Sequence, residues 1–353
     1  MNLSNQKTFI DFYSKNKSLT EDEKNSLRSP ITIGEVEKAI DKLNINSAPG
    51  PDGLTSALYK KFKTYFSFSI CNTINSLSVD GVPNSLYLAV IKLLPKKPAP
   101  KMVDDYRPIS LINTDQKIIS HVIAARIKSV LDRVIESAQN AYLSKRQMNT
   151  GINFVRMRIS KMQEGECAWS LDFSKAFDKL DRNYLWSLMK SMGFPVEIVN
   201  LIDKLYMKTT SVIEINGFLS AKIKIERGVR QGDPLSALLF ILAIDPLLFA
   251  IRASKIIKSK GSKRVSAYAD DVMCFVNCCS MEYLEKIVKR FCDATQLTIN
   301  EQKSDILSHQ PVVNKKKTVQ KIVHLGITHR IDKKENESPI IAQQKIDEIA
   351  ARK

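Results

Sequence analysis

Two aspartates stand side by side in A-Y-A-D-D-V-M-C-F (residues 267–275), as Asp270 and Asp271. Val265, Ala267, Val272, Met273, Phe275 and Val276 around them have strand composition. A buried carboxylate without a partner is costly, and two neighbours of like sign also repel. Such a pair predicts a cation beside it. A second acidic strand end, S-L-D-F-S-K-A-F-D (170–178), supplies Asp172 and then Asp178. Hard oxygen donors with no thiolate among them suit Mg²⁺. Carboxylates drawn from two strands can hold two such ions, one activating a hydroxyl and one carrying a phosphate leaving group. A plainer alternative stays open, with Asp172 as a helix N-cap and Asp270-Asp271 as an ordinary hairpin turn.

The overall balance agrees with phosphate chemistry. The 353 residues hold 54 Lys+Arg against 37 Asp+Glu, a formal charge of +17. That excess predicts a polyanionic partner, nucleic acid ahead of an anionic membrane surface. No apolar run approaches the roughly 18–20 residues needed to span a bilayer, so no membrane partner is expected. The start, M-N-L-S-N-Q-K-T-F-I, lacks the basic and apolar blocks of a secretory signal. Cys71, Cys167, Cys274, Cys278, Cys279 and Cys292 form no C-x-x-C pair and have no histidine at finger spacing. They read as reduced thiols of an intracellular protein, nuclear or cytoplasmic, rather than as zinc ligands.

The elements that must position these groups follow from periodicity and capping. Residues 1–30 read as a partial helix with a loose tail. T-I-G-E (Thr32 to Glu35) is a capping box, followed by Val36, Ala39, Ile40 and Leu43 at helical spacing. After the turn-rich N-S-A-P-G-P-D-G, a long helix is expected from Leu54 to Leu77. Leu86 to Leu94 reads as a strand leading into a basic loop, and Asp115 to Ile135 as a helix. Trp169 to Asp172 reads as a strand, with helices over Asn183–Met192 and Val196–Tyr206. Ser211–Ile215 and Ala221–Ile225 form a hairpin around Asn216-Gly217. Asp233-Pro234 opens a buried apolar helix to about Ile251. Arg264–Tyr268 and Val272–Val276 flank the aspartate pair, and Met281 to Thr295 is helical. Short strands near Asp305–Leu307 and Ile322–Leu325 and an amphipathic helix over Pro339–Lys353 complete an α+β chain, a small antiparallel sheet with helices on one face.

More blocks stand in a recognisable order. They are S-A-P-G-P-D-G (47–53), L-L-P-K-K (93–97), D-Y-R-P-I-S-L (105–111) and L-D-F-S-K-A-F-D (171–178). G-V-R-Q-G-D-P-L-S (228–236), Y-A-D-D (268–271), L-T-I-N-E-Q-K-S (297–304) and L-G-I (325–327) follow. Over about residues 31–330 the chain resembles the reverse transcriptases of non-LTR (LINE-type) retrotransposons. The resemblance implies a palm-and-fingers polymerase fold whose thumb is truncated. It implies an N-terminal extension at 1–30, fingers with part of the palm at 31–165, palm at 166–330 and the start of a thumb at 331–353. The reverse transcriptase domain itself would span about 75–330. The activity implied is RNA-directed DNA synthesis, with RNA template, DNA primer and dNTPs as partners and two Mg²⁺ ions (Mn²⁺ as a substitute) as cofactors.

Residue roles come with the resemblance. Asp172, Asp270 and Asp271 would be catalytic metal ligands, Asp172 and Asp270 foremost, with the backbone carbonyl of Phe173 adding a neutral oxygen. Phe177 lies where the family places an aromatic steric gate under the sugar; a packed core ring is the alternative. Lys96, Lys97 and Arg107 fall in blocks resembling the segment that grips the triphosphate, with a solvated basic loop as the alternative. Gln231 and Gly232 resemble the family segment beside the nascent base pair, or else form a turn before a helix. Lys303 is a candidate general acid toward pyrophosphate, or else an exposed lysine. LINE-type proteins also carry an endonuclease and a Cys/His-rich segment, which this sequence lacks, so it reads as part of an element or its remnant. The rival readings are a decayed protein that binds nucleic acid without catalysis and a group II intron-type maturase. An RNA-dependent RNA polymerase stands further off, because an aromatic at Phe177 favours deoxynucleotides.

Overall fold

The computed structural model describes residues 3–259, 264–310, 312 and 318–331. In chain order the helices are α1 (Leu3–Ser14), α2 (Glu21–Arg28), α3 (Ile33–Asp41), α4 (Ser56–Lys61), α5 (Lys63–Asp80) and α6 (Thr114–Val134). Then come α7 (Met148–Ser160), α8 (Ala176–Lys179), α9 (Arg182–Ser191), α10 (Val196–Met207), α11 (Pro234–Ala253) and α12 (Met281–Thr295). The strands are β1 (Leu88–Pro95), β2 (Tyr106–Ile112), β3 (Glu166–Leu171), β4 (Thr210–Ile215), β5 (Phe218–Leu219) and β6 (Ile223–Lys224). They continue with β7 (Val265–Tyr268), β8 (Asp271–Asn277), β9 (Ile306–Ser308), β10 (Thr318–Val319), β11 (Lys321–His324) and β12 (Ile327–Arg330). The mixture is the expected α+β class.

Two units divide the described residues. One is built from the segment up to Asn16, Val134–Lys179 and the chain from Phe240 onward; the other from Lys17–Arg133 and Leu180–Leu239. Both are discontinuous in sequence.

The first unit is organised by a sheet in the order β10-β9-β3-β8-β7. β3 and β8 run antiparallel, from Glu166 opposite Asn277 to Leu171 opposite Val272. Val272 to Val276 are all buried, as expected of a central strand. Val155 and Ile159 of α7 pack with Ala168, Met273, Phe275 and Leu307 on one face of it. The helix α7 was not anticipated from the sequence. Its buried positions, Gly151, Ile152, Val155 and Ile159, are interrupted by Arg156 and Arg158, which blur the apolar stripe. Residues 1–30 also depart from the expected loose tail. Phe9 of α1 meets Phe291 of α12 edge-on at 5.6 Å, and Gln6 Nε2 donates to Ala294 O at 2.8 Å. The Tyr13 hydroxyl donates to buried Asp245 of α11.

In the second unit the order is β2-β1-β4-β5, with β6 also on β4. β1 and β2 form an antiparallel hairpin, and β1 pairs parallel with β4. Asn216 and Gly217 turn β4 into β5 with φ of 51° and 83°, the two positive values a tight hairpin turn needs. The return strand is split, because Ser220 Oγ accepts from Ile213 N–H and interrupts the ladder before β6. The helix expected over Leu54–Leu77 breaks at Phe62 (φ −109°, ψ 37°) into α4 and α5. A 3₁₀ turn over Asn84–Tyr87 delays β1. D-Y-R-P-I-S-L forms β2 despite Pro108, an element the sequence did not suggest. α2 has its own capping box, Thr20 with Glu23, and α3 has the predicted one, Thr32 with Glu35.

α11 corrects one expectation and meets another. By length and composition it is able to cross a membrane, which the sequence was not expected to contain. It is nonetheless mostly buried inside the protein, and Asp245 stands within it. The amphipathic helix expected over Pro339–Lys353 lies outside the described residues.

Glu35 caps α3 and also receives Nε and Nη2 of Arg126, at 2.6 and 2.8 Å. The Arg126 hydrogen bonds hold its carboxyl down at about 2, from 4.5. A depressed carboxylate stabilises the fold above its unfolded value and loses that contribution as pH falls through the folded one. Glu35→Gln keeps an acceptor for the capping box but removes the charge. The variant is expected to show a shallower loss of stability between pH 5 and pH 2 in urea titrations than the parent chain.

Candidate active site

The register of one strand pair brings the two acidic strand ends to the same end of the sheet. β3 ends at Leu171 opposite Val272; carried one step beyond that last pair, the same register would set Asp172 against Asp271. Directly opposed residues of an antiparallel pair have Cβ atoms about 5 Å apart on the same face. The last pair of the β7–β8 hairpin is Tyr268 with Asp271, which leaves Ala269 and Asp270 as the turn. Asp172, Asp270 and Asp271 are all half-buried.

The strand end is pinned from the other side by the L-T-I-N-E-Q-K-S block. Asp172 N–H donates to Ser304 Oγ at 3.1 Å, and Asp172 O accepts from Asn300 N–H at 2.8 Å. Ser174 N–H donates to Thr298 O at 2.8 Å, and Phe173 bridges Ile299. Even-numbered backbone groups of this stretch therefore bond toward the block. By the alternation of a strand, the Phe173 carbonyl faces the β8 side, where the aspartates lie. Lys303 sits in the exposed turn that follows Asn300, with its N–H on Asn300 O.

Phe177, on α8, is half-buried and stacks on Phe240 with centroids 4.6 Å apart and planes 17° apart. Its ring is thus fixed by packing. Tyr142 lies beside Tyr268, ring centroids 6.2 Å apart. Burial foremost, with Tyr268 and Asp270 adding to it, pushes the Tyr142 phenol up to about 12. Tyr142 had no place in the sequence reading.

The other candidates belong to the second unit. Lys96 and Lys97 lie just past the end of β1, before β2 begins. Lys97 pairs with Asp105 at 2.7 Å, and Lys96 Nζ donates to Asp104 O at 2.7 Å. The Lys97 hydrogen bond, followed by the Lys101 and Met102 amides, holds the Asp105 carboxyl down at about 2. Both lysines are exposed, each with a side-chain contact to the Asp104-Asp105 end of the same loop. Arg107 is exposed on β2 opposite Leu94. The same strand receives the R-Q-G segment, because Ser110 N–H donates to Gln231 O at 2.8 Å. Gly232 has φ +103°, and a Cβ there would stand 2.9 Å from Ser110 O. Close approach and backbone conformation both require glycine.

Two buried arginines hold this segment, and the sequence did not mark them as site residues. Arg182 Nε donates to Gly228 O at 2.8 Å, Nη1 to Tyr206 O and Ile225 O at 2.8 and 3.1 Å, and Nη2 to Arg227 O at 3.3 Å. Burial lowers its guanidinium to about 10. Arg230 donates to Leu86 O and Tyr87 O. Asp233 caps α11 through Leu235 N–H at 3.0 Å and accepts from the Tyr206 hydroxyl at 3.2 Å. One signal for Arg182 was present: a cation in the first turn of α9 opposes the helix dipole, so something other than helix stability keeps it there.

The donor set at the end of β3 fits divalent metal. It offers carboxylates from two strands and a main-chain carbonyl, all hard oxygens. Among the described residues no group of three or more His, Cys, Asp or Glu stands together in a way that could hold a metal ion, so Asp172, Asp270 and Asp271 are not gathered into one such group. Mg²⁺ sites of phosphate-handling enzymes are open in this way, one or two carboxylates sharing the ion with water and substrate phosphates. Gly232→Ala is expected to lower stability by about 1–3 kcal/mol in urea unfolding, through strain at a positive φ. Gly34→Ala, with nothing within 4 Å of the added methyl, should show no loss.

Residues 94–329 match the family described as "Reverse transcriptase (RNA-dependent DNA polymerase)". The chain is 34% identical over 263 residues to the "Transposon TX1 uncharacterized 149 kDa protein" of Xenopus laevis, covering 72% of this chain and 20% of that protein. It is 29% identical to the "Retrovirus-related Pol polyprotein from type-2 retrotransposable element R2DM" of Drosophila melanogaster, over 69% of this chain and 23% of that one. With the "RNA-directed DNA polymerase from mobile element jockey" of Drosophila funebris it shares 26% identity, over 76% and 30%. The chain thus spans 20–30% of the length of these relatives. Seven of the eight sequence blocks, from L-L-P-K-K onward, fall in the matched span or at its edge, and this chain belongs to the reverse transcriptase family, among those of non-LTR retrotransposons.

Proposed function

We propose that this chain is an RNA-directed DNA polymerase that extends a primer 3′-hydroxyl on an RNA template. The observation that carries the proposal is the β3–β8 register, which ends at Leu171 opposite Val272 and so leaves Asp172 at the same sheet end as the Asp270-Asp271 turn. Reverse transcriptases work with divalent metal ions, and the family implies an RNA template, a primer and nucleotides as partners. The finer assignment is two Mg²⁺ ions, replaceable by Mn²⁺, with DNA as the primer.

Asp172 and Asp270 are the foremost ligands in this proposal, with Asp271 and the Phe173 carbonyl beside them. When bound, the ions would lower the pKa of the primer hydroxyl and neutralise the departing pyrophosphate. Arg107, with its fork of donors, suits phosphate oxygens, and Lys96 and Lys97 add charge at the same hairpin. Gln231 and Gly232 offer an amide and an open stretch of backbone to the nucleotide or template. The Phe177 ring, stacked on Phe240, is assigned the steric gate that would clash with a ribose 2′-hydroxyl. Lys303 is the candidate donor of a proton to pyrophosphate. The division into fingers at 31–165 and palm at 166–330, and an intracellular location, belong to the same proposal.

Primer extension with purified chain, RNA template, dNTPs and Mg²⁺ tests it. Asp270→Ala should abolish extension while RNA binding in a filter assay persists. No extension by the unaltered chain, with RNA binding retained, would instead favour a nucleic-acid-binding protein without catalysis, which the +17 charge also suits. Phe177→Ala should raise incorporation of ribonucleotides relative to deoxynucleotides, read as the ratio of kcat/KM values. An unchanged ratio would leave Phe177 a packing residue.

A further inference from the structure

The Asp270-Asp271 turn has a support besides its own two strands. The segment around Gln139 meets β7 at one parallel bridge, Gln139 with Ala267. Asn140 N–H donates to Ala267 O, and Ala267 N–H donates to Ala138 O, both at 2.8 Å. Beside this bridge the Gln139 side chain, fully buried, reaches the turn. Its Oε1 accepts from Ala269 N–H at 2.9 Å and from Ala141 N–H at 3.1 Å.

Ala269 is where the turn needs help. Its φ is +53°, a left-handed conformation that costs a residue with a Cβ about 1–2 kcal/mol. Glycine would adopt it freely, but alanine requires the surroundings to impose it. The Gln139 oxygen does so by holding the Ala269 amide. The segment that carries Gln139 is itself anchored. Glu136 N–H donates to both oxygens of Asp245 on α11, at 3.0 and 3.2 Å. Arg146 donates to Ile135 O at 2.9 Å, to Gln139 O at 2.8 Å and to Glu136 O. Gln139 Nε2 is buried without a hydrogen-bond partner. Such an unsatisfied donor is costly, so packing alone does not account for an amide in this place.

We infer that Gln139 is a positioning residue that locks the left-handed turn at Ala269 and so sets the directions in which Asp270 and Asp271 leave the sheet. The inference rests on the reading of those aspartates as metal ligands. Without the tether Ala269 relaxes toward negative φ, and the twist that keeps β7 and β8 paired up to Asp271 is lost. Partners that orient a ligand in this way commonly change metal affinity by about 10–100-fold when removed.

The test uses the full chain and two readouts. In metal-free chain, amide hydrogen exchange over the 266–273 peptide should quicken by about tenfold in Gln139→Met, while peptides from α12 keep their protection. In primer extension, Gln139→Met should raise the Mg²⁺ concentration for half-maximal rate by about tenfold with RNA affinity unchanged. Adding Ala269→Gly to that variant should recover most of the loss, since glycine needs no tether. A residue with only a packing role would lower the folded fraction, leaving the Mg²⁺ dependence unmoved and the glycine without effect. That pattern, or unchanged exchange at the turn, overturns the inference. If Gln139→Met does not fold, Gln139→Asn, which withdraws the amide by one methylene, is read in the same way. An inactive parent chain would count against the polymerase reading, and exchange at the turn would still decide on the tether.

Discussion

Everything at the carboxylate end of the first unit depends on the pairing of β3 with β8. Side chains alternate faces along a strand, so a slip of one residue would send Asp172 and Asp271 to opposite sides. The register is held by what lies behind the acids. Ala168, Met273 and Phe275 share a packed layer with α7, while Leu171 and Val272 close the ladder. Apolar burial thus decides where the charges stand. The acids stand half-buried at the strand end, within reach of solvent.

The second unit solves a different problem with the opposite charge. Its R-Q-G segment is irregular backbone close to a strand, and irregular backbone leaves carbonyls in need of donors. Arg182 takes the carbonyls of Ile225, Arg227 and Gly228 just ahead of the segment and that of Tyr206 in α10, and Arg230, within the segment, reaches those of Leu86 and Tyr87. Guanidinium suits this task because its donors are coplanar and its charge is weakly hydrated. The segment is held by hydrogen bonds to its backbone, which leaves the Gln231 side chain uncommitted to that scaffold.

Much of this was legible in the sequence, for reasons that differ by element. The acids were legible because charge inside strand composition is improbable without a purpose. The Thr32 box, the Asn216-Gly217 turn and the Met281–Thr295 helix were legible because their signals are local. What escaped was non-local. Gln139 looks like any polar residue after a helix, and its meaning comes from Ala269, far away in the chain. α1 was read as loose because its partners, Phe249, Phe291 and Asp245, come only much later. β2 was hidden by Pro108, tolerated there on the edge strand of its sheet. The arginine hubs were invisible because the carbonyls they serve have no signature in side-chain sequence.

The discontinuity of the two units has a kinetic meaning. Asp172 and Asp271 lie roughly a hundred residues apart, and the intervening stretch enters the other unit and returns before β7 is made. Closing so long a loop is slow, and no fragment ending before β8 can place the acids side by side. A nascent chain therefore pairs β3 with β8 only once synthesis has passed residue 277. Copies cut short upstream of residue 271 retain basic segments without the paired acids. The order of segments thus makes the meeting of these two strand ends a late event of synthesis, because it waits on the whole stretch from β3 through β8.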